Sequence, residues 1–114
     1  MTGAAGGLSG GLWATFGARL VPGAAYVLGM LGFDRRLEDS DAVVTGEGRL
    51  DSQSLEGKLV GEVAKRCREA GVPLHAIAGR VELDGPDAER LGLASTSQAG
   101  TLEEIQAAAR ALIN

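Results

Sequence analysis

The second half of the chain alternates between two kinds of hydrophobic pattern. Three short apolar runs have the length of buried strands, at positions 41–46, 74–78 and 93–97. Three other segments repeat apolar residues every three or four positions, at 57–70, 86–91 and 101–112. This spacing is typical of amphipathic helices, so the pattern predicts strands and helices in alternation.

Residue types at the ends of these segments support the prediction. Gly71 and Gly92 follow the first two helical segments, where a left-handed glycine commonly ends a helix. Thr101 and Glu104 have the spacing of a capping box at the start of the last one. Alternating strands and helices with short connections imply a parallel sheet with right-handed crossovers. The predicted fold class is therefore α/β, a three-layer Rossmann-like parallel sheet fragment with flanking helices.

The first forty residues carry a less regular pattern that is rich in glycine. Positions 4–16 are interpreted as a helix with one apolar stripe, and positions 22–31 as a second helix with proline in its first turn. Positions 34–37 have the length of a single turn. No linker or shift in composition divides the chain, so we expect residues 1–114 to form one domain.

Composition and charge exclude several classes of protein. Hydrophobic residues make up 45% of the chain and charged residues 23%, as in an ordinary water-soluble domain. The 11 basic and 15 acidic residues give a net charge of −4, which argues against a nucleic-acid partner. The single cysteine, Cys67, cannot form an internal disulfide, and no apolar run reaches the roughly 18 residues of a membrane span. No signal-peptide pattern is present, so we expect a cytoplasmic protein without a membrane segment.

The segment between the first strand and the next helix has an unusual composition. Positions 45–58 concentrate carboxylates, cations, hydroxyls and glycines. Carboxylates hold Mg²⁺ or accept a proton, cations neutralise phosphoryl oxygens, and glycines let backbone N–H groups approach a ligand. We interpret this segment as a loop that handles a phosphoryl group, with Lys58 at a helix start that favours anions. Because parallel strands end at one edge of a sheet, Arg80 and Gln98 are expected to lie near it.

A plainer interpretation of the same segment stays open. In that case the segment is a solvated connection in which Asp51 or Ser54 caps the helix and Arg49 pairs with Glu47. The standard nucleotide motifs do not favour either interpretation. Ser52 stands where a P-loop needs glycine, and Asp51 stands where a dinucleotide fingerprint needs glycine or alanine.

Three further features have both a functional and a structural interpretation. The glycines at positions 3–7, with Gly6 and Gly7 among them, open a predicted helix and offer free N–H groups to an anion, or else allow close packing. His75 has no second histidine or nearby cysteine to complete a metal set and is interpreted as structural. Cys67 lies on the apolar face of its helix and is interpreted as core.

Several of these segments together resemble one known family. In chain order they are Gly3-Ala4-Ala5-Gly6-Gly7-Leu8, Thr45-Gly46-Glu47-Gly48-Arg49-Leu50-Asp51-Ser52-Gln53-Ser54, Gly57-Lys58 and Ile77-Ala78-Gly79. They closely resemble the C-terminal third of the bacterial glycerate kinase family, over essentially the whole chain. Val60 and Glu62 depart from the proline and glycine that are usual in the family.

The resemblance implies a two-domain α/β enzyme that transfers the γ-phosphoryl group of ATP to D-glycerate with Mg²⁺, in a cleft between the domains. It also implies roles for the residues of the central motif. Glu47, Asp51 and Lys58 are the predicted catalytic residues, and Glu47 and Asp51 are the predicted metal ligands. The predicted substrate- and phosphate-binding residues are Gly6, Gly7, Gly46, Gly48, Arg49, Ser52, Gln53 and Arg80.

The resemblance further implies that part of the family's enzyme is missing from these residues. Family members begin with an Asp-Ser-Phe-Lys-type motif and a later acidic, glycine-rich motif, and neither occurs in this sequence. We therefore expect a truncated C-terminal portion of a glycerate kinase, inactive alone, with exposed apolar surface and with D-glycerate as its substrate. Its expected protein partner is an N-terminal companion chain or a second copy. The alternative is a non-catalytic module that binds a phosphorylated metabolite or pairs with a companion chain.

Overall fold

The computed structural model describes residues 2–56 and 58–113. Within them the chain forms the α-helices α1 Ala4–Phe16, α2 Gly23–Met30, α3 Phe33–Leu37, α4 Leu59–Ala70, α5 Gly85–Leu91 and α6 Leu102–Ile113. The strands are β1 Val43–Leu50, β2 Leu74–Val81 and β3 Ser95–Gln98, and a 3₁₀ helix, Ser52–Leu55, lies between β1 and α4. The predicted alternation of strand and helix from β1 to α6 is confirmed.

The three strands form one parallel sheet in the order β1-β2-β3. β1 and β2 are paired along their length, ending with Leu50 opposite Val81. β3 pairs with β2 only as far as Gln98 opposite Ala78, and it begins at Ser95 rather than at the predicted position 93. β1 and β2 therefore project past the end of β3 as a two-stranded ribbon. The predicted α/β fold with a parallel sheet and flanking helices is confirmed.

The predicted end of β1 is wrong. The predicted strand ends at Gly46, with residues 47–50 in a loop, whereas β1 continues to Leu50. The side chain of Leu50 has a relative exposure of 0% and belongs to the hydrophobic core. Burial of the apolar Leu50 side chain is favourable and anchors the end of β1 in the core. Residues 47–49, which lie before this anchor, are therefore held in an extended conformation.

Two glycines allow β1 and β2 to lie close together in the ribbon. Gly48 and Gly79 fall between the paired positions of Glu47 with Ala78 and of Arg49 with Arg80. A Cβ atom on Gly79 would lie 2.8 Å from the carbonyl oxygen of Gly48, closer than a side chain tolerates. A Cβ atom on Gly48 would meet nothing within 4 Å. Because residue 79 has no side chain, β2 stays paired with β1 beyond position 78, where the predicted strand ends.

The hydrophobic core lies between one face of the sheet and α4. The buried residues of α4 are Val60, Val63, Ala64 and Cys67. They form one cluster with apolar residues of the sheet and its neighbours, which include Leu37, Leu50, Leu74, Ala76, Ala78 and Leu91. Cys67 is a buried free thiol, as predicted, and burial raises its pKa.

The helix ends that were predicted from the sequence are present. Gly71 and Gly92 both have left-handed backbone angles, with φ of 71° and 67°, and end α4 and α5. At the start of α6, the N–H of Glu104 donates to Oγ1 of Thr101 at 3.2 Å, and the N–H of Thr101 donates to Oε2 of Glu104 at 3.3 Å. The capping box is therefore confirmed.

One arginine connects the N-terminal helices to the core helix. Arg66, on α4, has a side chain that is 15% exposed. Its Nε donates to Oε1 of Glu62 at 3.0 Å, its Nη1 to Oδ2 of Asp34 at 3.0 Å, and its Nη2 to the carbonyl oxygen of Ala25 at 3.3 Å. The hydrogen bond that Arg66 donates to Glu62 is the main cause that raises the pKa of Arg66, against the lowering effect of its burial. α2 and α3 are thereby fixed to α4.

The first turn of α1 differs from the prediction. Ala5, Gly6 and Gly7 have φ angles of 53°, 67° and 93°, so the backbone there is left-handed rather than helical. The regular helix begins after this kink, and positions 3–7 do not form the helix start that was proposed to bind an anion. The N–H groups of Gly6 and Gly7 therefore do not belong to a regular helix start, and anion binding by these two glycines stays a prediction.

α1 also lies outside the core. It has no buried residue, and the apolar side chains along it are exposed: Leu8 by 61%, Leu12 by 40%, Trp13 by 57% and Phe16 by 77%. The chain is correspondingly elongated, with dimensions of 53 × 30 × 28 Å. None of the helices in the described residues has both the length and the apolar character needed to cross a membrane.

Candidate functional site

The carboxyl ends of β1 and β2 carry two arginines at the same level of the sheet. Arg49 and Arg80 are register partners, so their Cα atoms lie about 4.8 Å apart. Both side chains are largely exposed, Arg49 by 60% and Arg80 by 69%. This pair was predicted from the sequence to lie at the carboxyl edge of the sheet, and the structure brings the two residues together.

Asp51 holds Arg49 and caps the 3₁₀ helix. Its Oδ1 accepts from the N–H of Gln53 at 2.9 Å, and its Oδ2 lies 3.1 Å from Nε of Arg49. Its own N–H donates to Oγ of Ser54 at 3.1 Å, which completes a capping box. Both carboxylate oxygens of Asp51 are therefore engaged by the protein. The plainer interpretation was right that Asp51 forms a cap, but the cap is on the 3₁₀ helix and not on α4.

A second carboxylate completes the arginine cluster. Oε2 of Glu82 lies 2.6 Å from Nη2 of Arg49, and Oε1 of Glu82 lies 3.6 Å from Nη1 of Arg80. Arg49 therefore pairs with Asp51 and Glu82, and not with Glu47 as one interpretation expected. Glu82 is not among the site residues predicted from the sequence. The available signal was its position two residues after Arg80 in an extended segment, which places both on one side of the chain.

Gln98 closes the open side of the ribbon. Its Oε1 accepts from the N–H of Val81 at 3.0 Å, and the N–H of Ala99 donates to the carbonyl oxygen of Ala78 at 2.8 Å. The side-chain amide of Gln98 thus continues the hydrogen bonding of β3 beyond its last backbone pair. Gln98 lies at the same edge as Arg80, as expected from the topology.

Glu47 lies in a different environment from Arg49 and Asp51. It lines a cavity of about 330 Å³ between the sheet and α6, together with residues that include Thr45, Gly46, Gly79 and Ile105. Among the described residues, no hydrogen bond or ion pair of the Glu47 carboxylate is present. Glu47 is thus a carboxylate that has no partner among the described residues and lies at the rim of an apolar cavity.

The remaining predicted residues are spread along the following segment. Lys58 is exposed and is the N-cap of α4, so the prediction that it starts this helix is confirmed. Ser52 and Gln53 are exposed on the 3₁₀ helix. Gly57 lies outside the described residues. Within residues 2–56 and 58–113, no ion pair joins Lys58 to the arginine cluster, and Glu47, unlike Arg49, Asp51 and Lys58, lines the cavity beside α6.

The described residues contain no group of three His, Cys, Asp or Glu side chains placed to hold a metal ion. The two predicted metal ligands, Glu47 and Asp51, are separated along an extended strand by about 13 Å at their Cα atoms. The carboxylate of Asp51 is already engaged, whereas that of Glu47 has no partner within residues 2–56 and 58–113. A metal ion held jointly by these two residues therefore has no preformed site in this part of the chain.

The fold and the polar edge of the sheet agree with the comparisons to known proteins. The sequence profile of the Glycerate kinase family matches residues 1–114. The chain belongs to this family. Its polar strand ends and the segment around them are the residues that carried the resemblance in the sequence.

The matches to individual relatives span most of this chain but only a small part of each relative. A glycerate kinase of Halalkalibacterium halodurans is 49% identical over 77 residues, which are 68% of this chain and 20% of the relative. A glycerate 2-kinase of Escherichia coli K12 is 36% identical over 90% of this chain and 28% of the relative. A solved structure from Salmonella typhimurium LT2, described as a candidate glycerate kinase 2, has a TM-score of 0.57 and 32% identity over 93% of this chain and 28% of its own. The chain thus spans about a fifth to somewhat over a quarter of the relatives it matches.

Proposed function

We propose that this chain is the C-terminal portion of an ATP-dependent glycerate kinase that converts D-glycerate to phosphoglycerate in the cytoplasm. The observation that carries the proposal is the arginine cluster: two register partners, Arg49 and Arg80, with the carboxylates of Asp51 and Glu82, at the carboxyl edge of a parallel sheet. Ligands of open α/β sheets bind at this edge. The names of the relatives support glycerate as the substrate.

In this proposal Arg49 and Arg80 bind the anionic part of a substrate. Phosphoryl transfer depends mainly on positioning and on neutralising charge at phosphoryl oxygens. Guanidinium groups supply both, because each presents several N–H donors in a fixed plane and stays charged. Asp51 holds Arg49 at 3.1 Å and so positions its guanidinium group rather than contacting substrate. Ser52 and Gln53, exposed on the 3₁₀ helix, are proposed as further polar contacts.

The cofactors proposed for this site are ATP and Mg²⁺. A magnesium ion that accompanies ATP commonly keeps water and phosphate ligands and needs only one or two carboxylates from the protein. Glu47 fits this role best here, since its carboxylate has no hydrogen bond or ion pair among the described residues. Lys58, exposed at the N-terminus of α4, is proposed to bind a phosphate group with the help of the helix dipole. Gly46 and Gly48 leave the neighbouring backbone accessible to a ligand.

The rest of the enzyme is proposed to cover α1. The regular part of α1 is about ten residues long and glycine-rich, and such a helix is marginal in water without packing. Its apolar side chains are exposed, and the relatives are several times longer than this chain. We propose that the N-terminal portion of a glycerate kinase packs here, supplied by the same polypeptide or by a companion chain. A second copy of this chain is the alternative occupant.

The experiment combines the chain with the portion of a relative that it lacks. The purified chain is incubated with MgATP and D-glycerate, alone and after co-expression with the unmatched portion of the E. coli glycerate 2-kinase. We expect phosphoglycerate only from the combination, and a blue shift of the fluorescence of Trp13 when the two parts associate. Activity of the chain alone would refute the proposed dependence on a second part. Association without turnover would refute the kinase assignment and leave a non-catalytic pairing module, which the exposed α1 also supports.

A further inference from the structure

Glu82 has no assigned role in the function proposed above, although it contacts both arginines. It follows β2 directly, and its N–H donates to the carbonyl oxygen of Leu50 at 2.7 Å. This hydrogen bond fixes its backbone to the neighbouring strand. Its side chain is 38% exposed and therefore lies at the protein surface, where it can change rotamer without leaving the core.

The carboxylate of Glu82 directs one oxygen at each arginine. Oε2 lies 2.6 Å from Nη2 of Arg49 and Oε1 lies 3.6 Å from Nη1 of Arg80. A carboxylate or phosphoryl group of a ligand would adopt the same position between two guanidinium groups. An anion that bridges the two arginines at this position therefore takes the place of Glu82.

We propose that Glu82 acts as an internal competitor that weakens the binding of every anion to the Arg49–Arg80 pair, so that phosphoryl groups, which bind more strongly, displace it and carboxylates do not. This inference rests on the anion-binding role proposed above for the two arginines. A free carboxylate has the same charge as the carboxylate of Glu82, so replacing Glu82 gains no electrostatic energy. The Glu82 carboxylate also has a high effective concentration, because it is attached to the chain beside the arginines. A phosphoryl group brings more negative charge and a third oxygen, so it displaces Glu82.

The geometry of the cluster is suited to such an exchange. The contact to Arg80 is long, at 3.6 Å, and all three side chains are at least one-third exposed. Ion pairs of this kind contribute little and are released easily. Arg49 keeps its second partner, Asp51, when Glu82 leaves, so one guanidinium group stays in position. The pair then binds the phosphoryl end of a substrate, and the glycerate carboxylate is bound elsewhere.

The test is a titration of the purified chain with inorganic phosphate and with acetate at mildly alkaline pH, followed by the NMR signals of arginine Nε–H groups. We expect the wild-type chain to bind phosphate at least about fivefold more tightly than acetate. Glu82→Gln should bind both anions about two- to fivefold more tightly, because the competitor is lost. Glu89→Gln is the matched control: it makes the same change in net charge on the exposed surface of α5 and should bind as the wild type does.

The outcomes separate this inference from the function on which it rests. Phosphate affinity in Glu82→Gln that equals or falls below that of Glu89→Gln would overturn the competitor role, while the anion site itself would stand. Equal affinity of the wild type for phosphate and acetate would overturn the selectivity. If neither the wild type nor Glu82→Gln binds phosphate, or if the double variant Arg49→Ala/Arg80→Ala binds it equally well, the proposed role of the arginines is wrong.

Discussion

Replacement of Gly79 by alanine tests whether the close approach of β1 and β2 supports the arginine cluster. The added Cβ would lie 2.8 Å from the carbonyl oxygen of Gly48, and this oxygen belongs to the backbone of the neighbouring strand. It cannot move aside as a flexible side chain would. The strands must separate locally, which costs about 1–3 kcal/mol, the typical cost of overpacking.

Gly48→Ala provides a matched control on the facing strand. Both replacements restrict the unfolded backbone equally, which by itself raises the free energy of unfolding by about 0.5–1 kcal/mol in an extended segment. A Cβ on Gly48 meets nothing within 4 Å, so this variant receives the gain without the clash. The difference in free energy of unfolding between the two variants therefore isolates the clash, and we expect Gly79→Ala to be the less stable by about 1–3 kcal/mol.

The assay is unfolding by urea and by heat, followed by far-UV circular dichroism at several protein concentrations to control for association. For a domain of this size, the expected difference corresponds to roughly 5–15 °C in Tm. Gly79→Ala should also bind phosphate more weakly, because Arg49 and Arg80 move apart with their strands. Equal stability of the two alanine variants, or a lower stability of Gly48→Ala, would refute the reasoning.

Four other variants, one of them combined with a change of pH, test separate parts of the structure. Gly61→Ala should lower the free energy of unfolding by about 1–3 kcal/mol, because its Cβ would lie 2.9 Å from the carbonyl oxygen of Ser54; wild-type stability in urea would contradict the packing of α4 on the 3₁₀ helix. Arg66→Ala should cost about 1–2 kcal/mol and speed hydrogen exchange in α2 and α3, and unchanged exchange there would contradict the link to α4. Lys58→Ala should reduce the activity of the reconstituted enzyme about tenfold to a hundredfold with unchanged circular dichroism, and full activity would remove Lys58 from the site. The folded chain keeps the Cys67 proton where the unfolded thiol, with a pKa of about 8.5, loses it, so stability should fall as pH rises above that value, and Cys67→Ala should reduce this slope.

The sequence predicted the order of the elements better than their ends. The alternation from β1 to α6 followed from hydrophobic periodicity, and the glycine and threonine caps were readable from local chemistry. The end of β1 could not be predicted in this way, because residues 47–49 are polar and glycine-rich and only Leu50 indicates that the strand continues. Whether a leucine after a polar stretch is buried depends on the packing of α4 and the sheet, which is not local information.

The candidate site was predicted in part for a similar reason. Arg49 and Arg80 were expected at one edge of the sheet because parallel topology places strand ends together. Their exact pairing with Glu82 depends on the register of β1 and β2, which one sequence does not specify. Arg49 pairs with Glu82 across the ribbon rather than with Glu47 two positions before it, which depends on the same register. At positions 5–7, the left-handed backbone of Ala5 was not foreseeable, because alanine ordinarily favours a helix.

The order of the strands leaves the sheet with two unequal borders. The edge strand β3 has 4 residues, whereas the edge strand β1 has 8. No strand in the described part of the chain pairs with the outer side of β1. Unpaired backbone groups along such a margin act as a template for another strand. A long strand can therefore extend this sheet beside β1, whereas the edge formed by β3 is too short to pair with one along its whole length.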